Sequence, residues 1–366
     1  RGLRATAAAL AAGETSAAEL VEDALAGARR SQAVFTAINE GLPNLAASID
    51  AMRAGEASSA PLAGIPIALK DLFNLRNEKT LAGSVVRRHY ARPEDADAEV
   101  VAPLRAAGLL FLGRTNMSEF AFSGIGKNPH HGTPLSIWDR DTGRLPGGSS
   151  SGSAVAVAEG IVCASLGSDT AGSCRIPAAF NGVVGVKPSF GRMSLAGISP
   201  LSPTLDAPGP IAIDVDSCYL LDQLMCGAAK PEDALPALTA TEAGNIRLAI
   251  PESRVMQSLD VEVQAAFDRA IETLQNAGVE IRRVAMPVLD RCDDFFIERP
   301  VVVREVWDFH REMLEQHLDE YDPFVGQRMS AGALIDDTEQ AARYAERRRL
   351  VDEFETRFAD LQVDAL

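Results

Sequence analysis

Lysine is scarce in this chain. Only five of its 35 basic residues are lysines (Lys70, Lys79, Lys127, Lys187 and Lys230), so arginine serves wherever positive charge alone is needed. Basic residues are also outnumbered by 51 acidic ones, and a formal charge of −16 disfavours non-specific attraction to DNA, RNA or anionic membranes. A small-molecule substrate is the default that remains. The five cysteines are dispersed and form no Cys-x-x-Cys pair, which argues against a zinc site or a disulfide framework. They read as reduced thiols, and the expected location is cytoplasmic. No run approaches the roughly 18 apolar residues of a membrane span. The sequence also lacks His-Glu-x-x-His, Ser-x-x-Lys, P-loop and Gly-x-Gly-x-x-Gly patterns, which removes the commonest metal and nucleotide chemistries.

What is present suits an α/β protein. At 366 residues and 46% hydrophobic, the chain can bury a sizeable core. The alanine-rich opening reads as an amphipathic helix rather than a signal peptide, because glutamates follow it at once. Ser16 and Glu19 form a capping-box signature for a helix over 16–29. A strand over 34–39, a helix over 45–54 and a buried strand over 64–71 follow. Next come a helix starting near Asp97, in which Pro103 is awkward, and a strand over 109–113. Residues 115–126 read as a loop with a short helix. Four prolines make 194–210 irregular. Helix 216–226, strand 246–251, helix 260–277 and strand 279–285 complete the alternation. A charged helical region covers about 300–360, clearest over 336–358, and 361–366 resembles the start of a strand. With no obvious linker, one domain over 1–366 is expected, built on a mixed, mostly buried sheet sandwiched between helices.

The most unusual stretch is Gly147 to Phe190. Its 44 residues hold eight glycines and eight serines but only four charged side chains. Apolar runs such as Ala154 to Ala158 distinguish it from a flexible linker, since they must be buried. Glycine in a buried setting marks close backbone approach, so the loops here are expected to work through serine hydroxyls and backbone N–H groups. Gly148 to Gly152 fits the Gly-x-Ser-x-Gly elbow with Ser150 at its centre. No buried strand precedes it, however, and the only downstream histidines, His310 and His317, lie in a charged helical stretch. The elbow reading therefore lacks its context. Lysine is the recurring alternative base, because arginine does not deprotonate, and Lys70 closes the buried strand over 64–71.

Lys70 taken with the serine-rich loops resembles the amidase signature family, the Ser-Ser-Lys amide hydrolases. The matching blocks are GIPIALKD at 64–71, PGGSSSGSAVAVAEG at 146–160, LGSDTAGSCRIPAAFNGVVGVKPSFGR at 166–192 and TLDAPGP at 204–210. They follow the family's order and spacing, and the signature core spans about 60–215. The resemblance implies Ser173 as nucleophile, Ser149 as bridging serine after a cis peptide, and Lys70 as base. It also implies an oxyanion hole from the backbone of Thr170, Ala171, Gly172 and Ser173. Ala171 and Cys174 replace the family's usual Gly and Ile, and Cys174 reads as a packing residue.

For Lys70 to accept a proton near neutral pH, its reference pKa of about 10.4 must fall by roughly three units, about 4 kcal/mol. Burial and the absence of a close carboxylate would do this, with Asp71 pointing away. Asp169 and Arg175 are expected to form a loop-shaping ion pair that draws in Asp206. Ser150 and Ser151 are candidates for supporting hydrogen bonds or caps. Met117, Phe120 and Phe122 are candidates for the substrate pocket, with core packing as the alternative. His130 and His131 read as a surface turn. The function implied is hydrolysis of a small-molecule carboxamide without metal or organic cofactor, and a homodimer is compatible with it. The competing readings are the glutaminase-type subunit of a tRNA-dependent amidotransferase, the one case that brings in nucleic acid, and a catalytically silent binding protein. The chain stops at Leu366, short of the family's usual length, so further sequence is expected beyond that point.

Overall fold

Strand formation follows apolar runs flanked by turn residues. β1 (Phe35–Ile38), β2 (Pro66–Lys70) and β3 (Leu110–Thr115) are such runs. β4 (Ala164–Asp169), β5 (Val184–Gly185) and β6 (Ala207–Ala212) are built instead from Ala, Ser, Gly and Pro as much as from branched residues. The computed structural model describes residues 1–54 and 60–366, and these group into two compact units where the sequence leads one to expect a single domain. Residues 1–238 and 305–332 make the first unit; residues 239–304 and 333–366 make the second.

In the first unit the six strands form one mixed sheet in the order β1-β3-β2-β4-β6-β5. β2 lies at its centre, parallel to β3 on one side and to β4 on the other, and all five of its residues are buried. Helices Ala17–Arg30, Leu42–Ala54 and Ser151–Ala158 supply much of the core through Val21, Leu25, Ile49, Val155 and Val157. The first of these starts with the capping box of Ser16 and Glu19, an N-cap contributing about 1 kcal/mol. Helix Ser151–Ala158 is apolar or small all round because nothing larger fits. A Cβ at Gly152 would lie 2.3 Å from the Val34 carbonyl oxygen.

Three expectations change. The helix expected from Asp97 begins only at Ala102, with Pro103 in its first turn, where a missing N–H goes unnoticed. Pro208 and Pro210, read as irregular, lie inside β6, which pairs with β4 along its whole length. The Pro210 carbonyl faces Val186, so its nitrogen faces the same way, toward a partner strand only two residues long. In the second unit β7 (Arg247–Glu252) and β8 (Glu280–Ala285) pair in parallel around helix Val261–Asn276. There the strand expected over 361–366 reduces to one bridge, Ala365 beside Leu248, because helix Asp337–Leu361 takes up the start of the segment. No described helix is long and apolar enough to cross a membrane.

Candidate active site

Because β2, β3 and β4 are parallel, their C-terminal ends meet at one edge of the sheet, where open α/β sheets carry their chemistry. Lys70 ends β2 there with no exposed surface. Its ammonium nitrogen has two partners, the Ser149 hydroxyl at 2.6 Å and the Ser168 hydroxyl at 2.9 Å. Burial brings its pKa down to about 8, against the opposing influence of Cys174, Asp206 and Asp169. Two carboxylates therefore act on Lys70, contrary to the expectation of none, and the fall is smaller than the sequence argument requires. Asp71 does point away. Its carboxyl receives the Gly83 N–H at 3.1 Å and lies 3.5 Å from the buried Arg114.

The Gly148–Ser149 peptide is cis, as the resemblance implies. Two neighbours on the 118–124 loop hold it: the Ser118 N–H donates to the Ser149 carbonyl at 3.2 Å, and the Gly148 N–H donates to the Gly124 carbonyl at 2.8 Å. Ser150 begins the following helix without capping it through its side chain. Its hydroxyl donates instead to the Ser168 carbonyl, at 3.3 Å, and its own N–H donates to the Ser173 carbonyl, at 3.2 Å. Ser151 donates to the Asn116 carbonyl at 3.4 Å. These serines tie the two loops and β4 together, and none occupies the position of a nucleophile elbow.

The second loop is shaped by Asp169. Its fully buried carboxylate accepts a two-pronged contact from Arg175, both bonds at 2.9 Å, and also the N–H groups of Gly172 and Cys174. Burial pushes this carboxyl up, but Arg175 and the loop N–H groups outweigh it and hold it below the usual carboxylate range. Asp206 does not join that pair. It accepts from the Thr170 hydroxyl at 2.5 Å and from the N–H groups of Leu201 and Ser202, bracing the loop from the other side.

The expected oxyanion donors need one correction. The Gly172 N–H is already taken by Asp169 at 2.7 Å, which leaves those of Thr170, Ala171 and Ser173 with no partner among the described residues. The left-handed backbone falls on Gly172, at φ +119°, and Ala171 escapes the steric penalty its methyl would otherwise meet. Ser173 is 7% exposed, and its hydroxyl makes no hydrogen bond to a described residue. Lys70 and Ser149 are thus in direct contact, whereas Ser173 joins them only through the Ser150 N–H. Cys174 is fully buried, and burial drives its thiol far up in pKa, so it is an uncharged packing residue.

Met117, Phe120 and Phe122 are all buried. Phe120 packs edge-on against His310, with ring centroids 4.2 Å apart, and against Tyr321 at 5.4 Å. The guanidinium of Arg328 lies 4.2 Å over the Phe122 ring. Both rings thus pack against neighbouring side chains in this structure. Burial lowers His310 to about 3, so this histidine is a neutral wedge and no base. His130 and His131 do form a turn, their N–H groups on Asn128 Oδ1, but His130 Nε2 also lies 3.1 Å from the buried Glu119.

Sequence reasoning missed Ser168 and Glu119. Glu119 accepts from the Ser84 hydroxyl at 2.6 Å and the Asp322 N–H at 2.7 Å, anchoring the loop that holds Ser149. Finding Ser168 requires reading β4 as a strand parallel to β2, and its Ala-Ser-Leu-Gly-Ser-Asp sequence carries no β-branched residue to signal one. Ser168→Ala should lower kcat by about tenfold, the scale of one hydrogen bond to a charged group, while leaving KM nearly unchanged. It removes an acceptor for the ammonium form of Lys70, so the basic pKa in the pH–rate profile should fall. A rise in that pKa would contradict this reading.

The geometry has counterparts among known proteins. The Amidase family model matches residues 19–366. The A subunit of the glutamyl-tRNA(Gln) amidotransferase from Syntrophus aciditrophicus is 38% identical over 249 residues, 66% of this chain and 50% of that protein. Its namesake from Symbiobacterium thermophilum is 36% identical over 289 residues, 75% of this chain and 58% of its own. The chain thus spans little more than half the length of these curated relatives. Among solved structures, an amidase aligns with a TM-score of 0.86 at 34% identity, over 96% of this chain and 78% of its own. The peptide amidase from Stenotrophomonas maltophilia aligns with a TM-score of 0.78 at 27% identity, over 95% and 79%. A match from residue 19 to the last residue, on a shared fold with the four sequence blocks in place, leaves no other assignment: the chain belongs to the amidase signature family.

Proposed function

We propose that this chain hydrolyses a carboxamide through an acyl-enzyme on Ser173, with Ser149 relaying the proton and Lys70 as general base. The observation that carries the proposal is the 2.6 Å contact between a fully buried Lys70 and the Ser149 hydroxyl. A lysine held there at a pKa of about 8 has a substantial neutral fraction near physiological pH. Neutral Lys70 draws the proton from Ser149, Ser149 draws it from Ser173, and the Ser173 oxygen attacks the amide carbon. The free N–H groups of Thr170, Ala171 and Ser173 supply donors for the developing oxyanion. Ser149 then returns a proton to the departing nitrogen, and water attacks the ester to release the carboxylate.

Two substrate classes compete. A stand-alone enzyme acting on a small-molecule carboxamide is the reading drawn from the sequence, and the solved amidases support the chemistry. The curated relatives, named as amidotransferase subunits, favour glutamine as ammonia donor in a complex with partner subunits. Arg328 adds independent support for that second reading. Solvent-exposed and stacked over Phe122, it donates to the Phe122 carbonyl at 3.0 Å and has no carboxylate within ion-pair distance among the described residues. An arginine without a carboxylate partner, on helix Pro323–Ser330 and stacked against the 118–124 loop that holds Ser149, suits a substrate bearing its own carboxylate.

The test is ammonia release from aliphatic, aryl and dicarboxylic amides and from glutamine, using wild type and Arg328→Gln. A carboxylate-bearing substrate should lose about 10- to 100-fold in kcat/KM with Arg328→Gln, mostly through KM, as expected for one charged hydrogen-bonding partner. Neutral amides should be unaffected. Equal losses on neutral and acidic amides would remove the case for an acidic substrate, and turnover of no amide by the isolated chain or with partners would sink the hydrolase reading.

A further inference from the structure

A second cluster of chemically able side chains lies on the surface of the same unit. His89 closes the 3-10 turn Val86–His89, His317 closes helix Val302–His317, and Glu320 lies in the next turn, Leu318–Glu320. Both histidines converge on one carboxylate. His89 Nε2 lies 2.9 and 3.1 Å from the two Glu320 oxygens, and His317 Nδ1 lies 2.9 Å from Oε1. The three ligand atoms lie within 4.8 Å of one another. Tyr90 frames the cluster, its ring edge-on to His317 and its hydroxyl donating to Gln316 at 2.9 Å.

We propose that His89, His317 and Glu320 form a binding site for a divalent transition-metal ion. Two imidazoles and one carboxylate are a donor set of zinc, nickel and copper sites, with further positions left to water, whereas magnesium and calcium prefer all-oxygen shells. The pieces come from segments more than 220 residues apart in sequence, and ordinary surface hydrogen bonding would not need both imidazoles on one carboxylate. In the structure the two rings are stacked, 4.5 Å apart and 7° from parallel, so their lone pairs run in parallel planes. Coordination therefore turns one ring out of the stack. His89 is the ring placed to turn, with 47% of its side chain accessible against 25% for His317. The site has a consequence for the catalytic unit. Tyr321 and Asp322 follow Glu320 directly; Tyr321 packs against Phe120, and the Asp322 N–H donates to Glu119. An ion held here braces the corner that grips the loop behind Ser149.

The test uses the full chain, stripped with a chelator and titrated with zinc chloride by calorimetry at pH 7.5. One site per chain is expected, together with a rise in Tm that grows with zinc concentration. His317→Gln and Glu320→Gln should each weaken binding at least about tenfold and abolish the Tm rise. His89→Gln, at the most exposed position, provides the same test with the least risk to folding. Cobalt substitution gives a further readout, because a nitrogen and oxygen shell shows d–d bands without a thiolate charge-transfer band. Unchanged stoichiometry and affinity in all three variants would overturn the proposal, as would a thiolate band, since the ion would then sit elsewhere.

Discussion

Ser173→Ala is expected to reduce kcat for amide hydrolysis by about a million-fold, to the background left by binding and oxyanion contacts. The same substitution should leave the fold untouched. The Ser173 hydroxyl donates to no described residue and borders a small exposed surface, so its removal breaks no hydrogen bond and opens no closed cavity. Loss of a hydroxyl that has no hydrogen-bond partner should change stability by less than about 1 kcal/mol. A fluorophosphonate should label wild type at Ser173 alone and fail to label the variant. Ser150 is the informative control. It sits at the centre of the familiar pentapeptide, but it is fully buried and its hydroxyl is spent on β4. Ser150→Ala should therefore keep its label while losing some stability. A phosphonate adduct mapped to Ser150, or normal turnover by Ser173→Ala, would refute the assignment of the nucleophile.

The contrast between these two serines shows what was legible in the sequence. Elements with strong periodicity or apolar runs were readable: the capped helix from Ala17, strand β2 ending at Lys70, and the charged helix Asp337–Leu361. The strands that hold the nucleophile loop were not. β4 and β6 use Gly167 and Gly209 because neighbouring atoms crowd them; a Cβ at Gly209 would lie 2.1 Å from the Val186 carbonyl oxygen, and at Gly167 2.7 Å from the Ser150 hydroxyl. Close packing at the site demanded small residues, and small residues erase the β-propensity signal. The same logic hid Ser168. Glu119 was invisible for another reason, since its hydrogen-bond donors Ser84 and Asp322 lie 35 and 203 residues away and local sequence holds no trace of such contacts. The buried carboxylates Asp169 and Asp206 could be named from the sequence, but not their bearing on Lys70. The roles assigned to Lys70, Ser149 and Ser173 came from ordered blocks resembling a family, and the geometry then showed which of them touch.

Lys70→Arg should be nearly as damaging as loss of the nucleophile, with kcat down by about 10⁴-fold or more, because the variant keeps the charge and forbids its loss. The sign of the pKa shift decides how this appears against pH. Burial lowers Lys70 to about 8, so below that pH most molecules carry an ammonium with no lone pair to accept a proton. Wild-type kcat/KM should thus rise with pH, roughly tenfold from pH 7 to a plateau above about 9, with a midpoint near 8. In Lys70→Arg the rising limb should vanish, leaving a flat residual rate. Stability should follow the same group. The folded state holds Lys70 less protonated than the unfolded chain between pH 8 and 10.5, so the cost of burying the ammonium is full below pH 8 and fades as pH rises through that window. At neutral pH that cost is about 3 kcal/mol, which Lys70→Met would recover, less the hydrogen bonds to Ser149 and Ser168 that it breaks. The two variants separate proton transfer from folding as the origin of lost activity. Inactive Lys70→Met that is at least as stable as wild type, alongside inactive Lys70→Arg, places the loss in proton transfer. A Lys70→Arg enzyme that keeps both its rate and its pH limb would show that the base lies elsewhere.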